Sequence, residues 1–456
     1  MKLLSFTVGN FLSIRDHQTV SFAPVLDRAK APEGRWESVT DHVSILMGAN
    51  ASGKTNMLEA MNFGLRAIRE SATSWREHDN AVRLPHHPFR LNKDSRREPS
   101  FFEWDFVVEG IRYVYGFEMR YDGVQSEWLS RVPAVKWSTV FDREIKEQSS
   151  AVSWNSTVIP RTLQRSFSGV SNRELIMSVA LRDRVDVLGP VVEQLVHSIG
   201  FLPSGSRSED HRINYLVEQI RHGNFKLDDV SQLMLAADTG IKRVELDETR
   251  IPSDILDDIK RILGVLNQAE DAESAQDSEQ ESRDVAARYS DEQIEEIAYN
   301  FIFVHQGSDG EQRLNLAAQS AGTKSWLSIA PVILHALRRG GIVIADELDS
   351  SLHNNILFMV VKLFADPDIN INGAQLWLTS HNTNLLEQRR RLALQPRNYW
   401  FAEKDSEGQS VYYCLDDFDK HEEANYEKRY ISGRYGAIPD VSPSIVTGLI
   451  QEKAIG

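Results

Sequence analysis

The spacing of apolar positions changes several times along the chain, and each change predicts a different element. Leu3–Val8 reads as a strand, a turn follows near Asn10, and Gln18–Phe22 reads as the returning strand of a hairpin. Val43-Ser44-Ile45-Leu46-Met47 is a short, almost wholly apolar run, the pattern of a strand buried on both faces. Immediately beyond it Leu58, Met61, Leu65 and Ile68 recur at steps of three and four, which predicts an amphipathic helix from Lys54 to about Glu70. Phe101–Glu109 and Tyr113–Arg120 read as antiparallel strands of a meander over residues 100–142. Residues 155–268 read as mostly helical. The clearest helix there starts at Ser253, behind Pro252, with Ile255, Leu256, Ile259, Ile262, Leu263 and Leu266 on one face. Residues 268–293 are rich in Glu, Asp, Ser, Gln and Ala and predict a flexible acidic loop. From Ile294 and Ile297 onward strand and helix alternate, with apolar strands at Ile342–Ala345 and Gln375–Leu378. No internal repeat is evident.

This order predicts an α/β fold: a mixed β-sheet flanked by helices, built from residues 1–150 and 297–456, with a mainly helical insertion over 151–296. The 456 residues suffice for a large core, and 41% hydrophobic with 26% charged residues is ordinary globular composition. No apolar run approaches the ~18 residues that span a bilayer. The opening Met1–Val8 turns polar too early for a signal peptide. One cysteine, Cys414, excludes an internal disulfide framework. A cytoplasmic protein with no membrane partner is expected. The net charge of −15 argues against a surface that binds nucleic acid throughout. Two basic stretches keep a local nucleic-acid contact open: Arg83–Arg97, with His86, His87, Arg90, Lys93 and Arg96, and Arg389-Arg390-Arg391. Solvated loop and helix charges account for both more simply.

The candidate chemistry begins at Gly48-Ala49-Asn50-Ala51-Ser52-Gly53-Lys54-Thr55, which fits G-x-x-x-x-G-K-[ST] between a strand and a helix. Glycines let successive N–H groups turn toward phosphate oxygens, and the helix N-terminus adds its dipole. Asn50, Ala51, Ser52, Gly53 and Asn56 belong to this cradle; Lys54 supplies charge to the β- and γ-phosphates, and the Thr55 hydroxyl is a Mg²⁺ ligand. ATP with Mg²⁺ is therefore the expected ligand. The strand Ile342–Ala345 ends in Asp346-Glu347: Asp346 would hold Mg²⁺, and Glu347 would polarise the attacking water. Ser320-Ala321-Gly322-Thr323-Lys324 opens a helix and forms an anion site or, more simply, a capped helix start. Asp349 follows the acidic strand, and Thr379-Ser380-His381-Asn382 follows the next apolar strand. Ser380 and His381 cannot form a hydrolase pair while adjacent on a strand, because neighbours point to opposite faces. Asp416, Asp417 and Asp419 lie close together, a pattern that solvated turns produce more often than metal sites.

In this order the motifs resemble those of ABC-type ATPase heads. The resemblance implies that Ser320, Gly322 and Lys324 reach the nucleotide of a partner subunit, that Asp349 lies at the dimer interface and that His381 is the γ-phosphate switch. The opening Phe6–Ile14 resembles RecF- and SMC-like ATPases, whose loop after the first strand approaches the nucleotide. Ala237–Ile241, His305-Gln306-Gly307, Ser320–Thr323, Asp346–His353, Thr379–Asn382 and above all Tyr430-Ile431-Ser432-Gly433-Arg434-Tyr435-Gly436-Ala437-Ile438-Pro439 resemble bacterial ATPases of the RloA/AriA/AbiLii type. That family implies anti-phage defence or abortive infection: an ATP-dependent homo-oligomer, at least a dimer, that answers a phage-derived trigger and controls a separate effector, typically a TOPRIM-like nuclease encoded nearby. OLD-type relatives carry a fused nuclease after the switch histidine. Only 75 residues follow His381, fewer than such a domain needs. The rival reading is a DNA-repair or DNA-binding ATPase of the RecF/SMC kind; its SMC form needs long heptad arms, which residues 155–300 lack.

Overall fold

The computed structural model describes all residues except 24–34, 78–83, 147–148, 238, 251–296, 351, 419–424, 440–441, 445–446, 448–449 and 451–456. The predicted helix at Ser253 and the acidic loop 268–293 fall outside the described residues. The chain divides into two compact units, one formed by Met1–Ser208 with Val332–Gly456, the other by Glu209–Pro331.

The first unit contains two sheets. Strands β1 (Lys2–Gly9) and β2 (Gln18–Ser21) form the predicted hairpin; β3 is Val43–Gly48. Strands β4 (Ser100–Val108), β5 (Ile111–Arg120), β6 (Gly123–Val132), β7 (Ser138–Lys146) and β8 (Ser149–Trp154) run as a meander. They join the hairpin in a seven-stranded antiparallel sheet of order β2-β1-β4-β5-β6-β7-β8. Its inner face is a layer of large rings, with Trp104 stacked on Tyr115 at 6.1 Å between centroids and tilted against Phe6 at 5.2 Å. The helix Lys54–Glu70 lies on this layer through Met57, Leu58, Met61, Leu65 and Ile68, all buried, as their spacing predicts. Gly64 is required there, because a Cβ would sit 2.5 Å from the Trp104 ring.

The second sheet holds six strands in the order β16-β15-β3-β14-β13-β9. Its members are β9 (Ile199–Leu202), β13 (Ile342–Ala345), β14 (Gln375–Ser380), β15 (Tyr399–Lys404) and β16 (Ser410–Cys414), with β3 in the middle. All pairings except β15–β16 are parallel. Parallel strands covered on both faces read as continuous apolar runs, which is why β3 and β13 stand out in the sequence. Their C-terminal ends share one edge, where ligands bind in open parallel sheets.

The second unit contains, among its described residues, the helices Ser206–Arg221 (from its fourth residue, Glu209, on) and Leu227–Ala236 and the sheet β10-β11-β12 (Ile241–Arg250, Ile297–Gly307, Gly310–Asn315). Two sequence expectations need correction here. Helices predominate among the described residues of 155–268, as expected, but the stretch also supplies the strands β9 and β10. β9 is four residues long, too short for periodicity to identify. A bulge between Ile241 and Arg243 interrupts the alternation of β10. The insertion also has other limits than 151–296: residues 151–208 belong to the first unit because β9 pairs with β13, and residues 297–331 belong to the second because β11 pairs with β10.

Candidate nucleotide site

β3 ends at Gly48, and the chain passes through Ala49–Gly53 into the helix starting at Lys54. Gly53 has φ +105°, a conformation that favours glycine, and a Cβ there would lie 2.1 Å from the Ser410 hydroxyl. Two side chains of β16 hold the loop from behind, and a third contact ties the helix that follows to Ser13. The Ser410 Oγ lies 2.6 Å from the Ser52 carbonyl, the Tyr412 hydroxyl donates to the Gly53 carbonyl at 2.7 Å, and Asn56 Nδ2 donates to Ser13 Oγ at 2.6 Å. The loop between β1 and β2 thus lies against the first turn of the phosphate-loop helix. Lys54 curls over the loop, its Nζ donating to the carbonyls of Gly48 and Ala49 at 3.0 Å each. Burial holds its ammonium below the ordinary lysine value, against the opposing pull of Glu347, Asp346 and Asp349.

The acidic strand end meets this loop directly. Thr55 Oγ1 donates to both carboxylate oxygens of Asp346 at 3.1 Å, and Ser204 Oγ approaches Asp346 Oδ2 at 3.4 Å. Thr379 Oγ1 donates to Asp346 Oδ1 at 2.6 Å and accepts the Glu347 N–H at 2.8 Å. Glu347 sits at φ +47°, a sparsely populated conformation for a residue with a side chain. Its Oε1 is 3.3 Å from His381 Nε2. Asp349 accepts from Ser380 Oγ and from the His381 N–H, both at 3.0 Å, so within this chain it fixes the backbone that carries His381. Ser380 is thereby turned to Asp349 and away from the imidazole, as strand alternation requires.

A cavity of about 1030 Å³ opens in front of the loop. Gly48–Ser52, His381 and Thr383 line one side; Ala402–Lys404 and the tail residues Tyr430, Ile431, Ala437, Ile438 and Pro439 line the rest. The Ser52 hydroxyl and Asp349 Oδ1 are buried without a hydrogen-bond partner. The donor set suits a magnesium nucleotide: backbone N–H groups and Lys54 for phosphate, a hydroxyl and a carboxylate already converged for a hard cation.

Other sequence candidates lie elsewhere. In the second unit, Ser320 Oγ accepts the Thr323 N–H at 3.1 Å and meets Thr323 Oγ1 at 2.8 Å, capping the helix Ala321–Arg339 that contains Gly322; Lys324 Nζ donates to the Ala317 carbonyl at 3.3 Å. Asp417 accepts the Cys414 N–H in a short turn, and no group of three or more metal-ligating side chains occurs among the described residues. In the basic stretches, Arg96 donates to the Arg90 carbonyl, Arg389 donates to the Leu394 carbonyl, and burial pushes His86 down to about 4. Sequence reading gave no role to Thr379, Ser410, Tyr412 or Ser204. A polar Thr-Ser pair ending the apolar strand β14 was the one signal available.

A mixed parallel sheet with a phosphate loop at the end of its central strand and paired carboxylates at the end of β13 defines a P-loop ATPase fold. The family model described as "AAA domain, putative AbiEii toxin, Type IV TA system" matches residues 43–387, and the chain belongs to that family. Among solved structures the chain is similar to the SMC head domain from Thermotoga maritima (13% identity, TM-score 0.39, covering 91% of this chain and 99% of that one). It is also similar to the Smc head domain with an extended coiled coil, bound to the C-terminal domain of ScpA, from Pyrococcus furiosus (14% identity, TM-score 0.34, covering 91% and 96%). No curated protein matches the chain. No described helix is long and apolar enough to cross a membrane.

Proposed function

We propose that the chain hydrolyses ATP in the manner of ABC-type engines and that this hydrolysis drives the sensing or scaffolding component of an anti-phage defence system. The observation that carries the first part is the convergence of Thr55, Asp346 and Thr379 beside Lys54 and Glu347. Lys54 leaves the carbonyls of its own loop for the β- and γ-phosphates. Thr55 and Asp346 would hold Mg²⁺, which would supply charge neutralisation at the phosphates when bound. Glu347, its backbone fixed by Thr379, polarises the water that attacks the γ-phosphate, and His381 contacts that phosphate.

The defence role is supported by membership in the AbiEii-type family and by the tail signature Tyr430–Pro439. On this reading the chain works in the cytoplasm as a homo-oligomer, at least a dimer, in which Ser320, Gly322, Lys324 and Asp349 of one protomer complete the nucleotide site of another. A nucleotide-driven change at that interface holds or releases a separate effector, a TOPRIM-like nuclease, after a phage-derived trigger. Mixing inactive Lys54→Ala with inactive Ser320→Arg protomers tests the shared site: partial recovery of ATP turnover is expected, and none would remove sharing from the account. Phage challenge of cells carrying the gene with its neighbour tests the biology. Protection lost in Lys54→Ala is expected; ATP turnover without protection would overturn the defence role. ATP-stimulated, salt-sensitive duplex binding without a protein partner would favour the RecF/SMC-like alternative.

A further inference from the structure

The tail stands out in the sequence only by resemblance, yet it borders the phosphate loop. Its course can be followed from the switch position outward. Two residues after His381, Thr383 Oγ1 donates to Glu427 Oε1 at 2.7 Å. Glu427 lies in the first turn of the helix Tyr426–Ile431, which Asn425 caps by accepting the Lys428 N–H. The Arg389 guanidinium covers the Tyr426 ring at 4.9 Å and ties this helix to the segment that follows His381. Phe401 of β15 stacks on Tyr430 at 5.2 Å and on Tyr435 at 5.9 Å.

The other end of the tail is fastened beside the phosphate loop. Ala402 pairs in register with Gly48, and the next residue, Glu403, accepts the Ala437 N–H at 3.1 Å and the Tyr413 hydroxyl at 2.8 Å. The same hydroxyl lies 2.7 Å from the Tyr435 carbonyl, and the Tyr430 hydroxyl donates to the Ala437 carbonyl at 3.0 Å. Burial and the Glu403 carboxylate raise the Tyr413 phenol above its ordinary value. Ile431, between the two anchors, and Ile438, just beyond the second, line the cavity that Gly48–Ser52 and His381 also line, while remaining 60% and 38% exposed. The tail is therefore a strap with one end on the segment carrying His381 and the other on the strand next to the phosphate loop.

We propose that this strap sets the position of His381, with Glu427 as the positioning residue acting through Thr383 and Glu403 as the fixed anchor. The proposal rests on the ATPase reading above. An imidazole must be held within a fraction of an ångström of the reacting phosphate to contribute fully. His381 is held by its N–H bond to Asp349, and its loop is held by Glu427.

The test is steady-state ATP turnover of the full chain carrying Glu427→Ala, Glu427→Gln or Thr383→Val, each alone and combined with His381→Ala. Glu427→Ala and Thr383→Val should each lower kcat roughly tenfold with KM within about twofold, since the phosphate loop still binds nucleotide. Glu427→Gln, whose amide oxygen accepts the same bond, should recover most of the loss. In the His381→Ala background the Glu427 and Thr383 changes should have no further effect. Thermal unfolding of each variant identifies any that fail to fold, and the Glu427→Gln comparison stands without them. Full kcat in folded Glu427→Ala, or a loss that multiplies with that of His381→Ala, would overturn the proposal and leave the ATPase reading intact. Absence of turnover in the unaltered chain would overturn both.

Discussion

Each sheet of the first unit carries functional-looking carboxylates, Glu127 in the middle of β6 and Asp346 with Glu347 at the end of β13, and the two sites are built in opposite ways. In the antiparallel sheet Glu127 is fully buried, and its oxygens are all used: it accepts the Tyr115 hydroxyl at 3.0 Å and the Ile176 and Met177 N–H groups at 2.7 and 3.0 Å. Arg143, also fully buried, stands 3.5 Å away. That carboxylate satisfies the open end of the helix Ile176–Arg182, and no lone pair is left for a ligand. Asp346 and Glu347 end a strand of the parallel sheet and keep an open side. Asp346 is held by three hydroxyls, those of Thr55, Thr379 and Ser204, and faces the phosphate loop; Glu347 is held by its backbone, and among the described residues its carboxylate meets His381. A carboxylate closed in by backbone N–H groups and a buried arginine is scaffold; one met by hydroxyls and an imidazole beside the phosphate loop can exchange those partners for a ligand.

The largest expected effect is on Lys54→Ala: nucleotide binding, read by calorimetry with ATP and Mg²⁺, should weaken by ~100-fold or more with little change in thermal stability. Glu127→Ala should do the reverse. It takes the carboxylate away from Arg143, whose buried charge keeps its bonds to the Glu174 and Ser171 carbonyls, and from the two helix N–H groups; denaturant unfolding should show a loss of about 3–5 kcal/mol, while the protein that remains folded binds nucleotide normally. A large loss of ATP turnover per folded molecule in Glu127→Ala would contradict the division between scaffold and site.

The smallest effect concerns pH. His86 titrates at about 4 instead of the ordinary 6.5, because burial disfavours its charged form. The unfolded chain takes up its proton first, so this contribution is present above pH 6.5 and is lost as pH falls toward 4. Thermal melts between those limits should show Tm decreasing on acidification. His86→Gln should flatten that decrease by roughly 2–4 °C, the shift about 1 kcal/mol produces in a large domain.

Much of the site was legible because it obeys local rules. A buried parallel strand, a glycine loop and an amphipathic helix follow one another over Val43–Glu70, and each announces itself by period or composition. The strand Ile342–Ala345 did so too. What escaped was set by tertiary pairing. The four residues of β9 carry no period of their own, and β10 hides its alternation behind a bulge. Thr379 and Ser410 acquire their roles only because β14 and β16 bring them, 33 and 358 positions away in sequence, to Asp346 and Ser52. The tail was conspicuous as a motif, but nothing in its residues says that it lines the same cavity as the phosphate loop.

The central claim is that Glu347, placed by Thr379 and His381, activates water for attack on a nucleotide held by Lys54 and Thr55. Comparing Glu347→Gln with the unaltered chain in two readouts, equilibrium ATP binding and the rate of phosphate release, tests it most directly. The account predicts ATP binding within about threefold of the unaltered chain and turnover lowered by ~10²–10³. Retention of most turnover in a folded Glu347→Gln protein would contradict it.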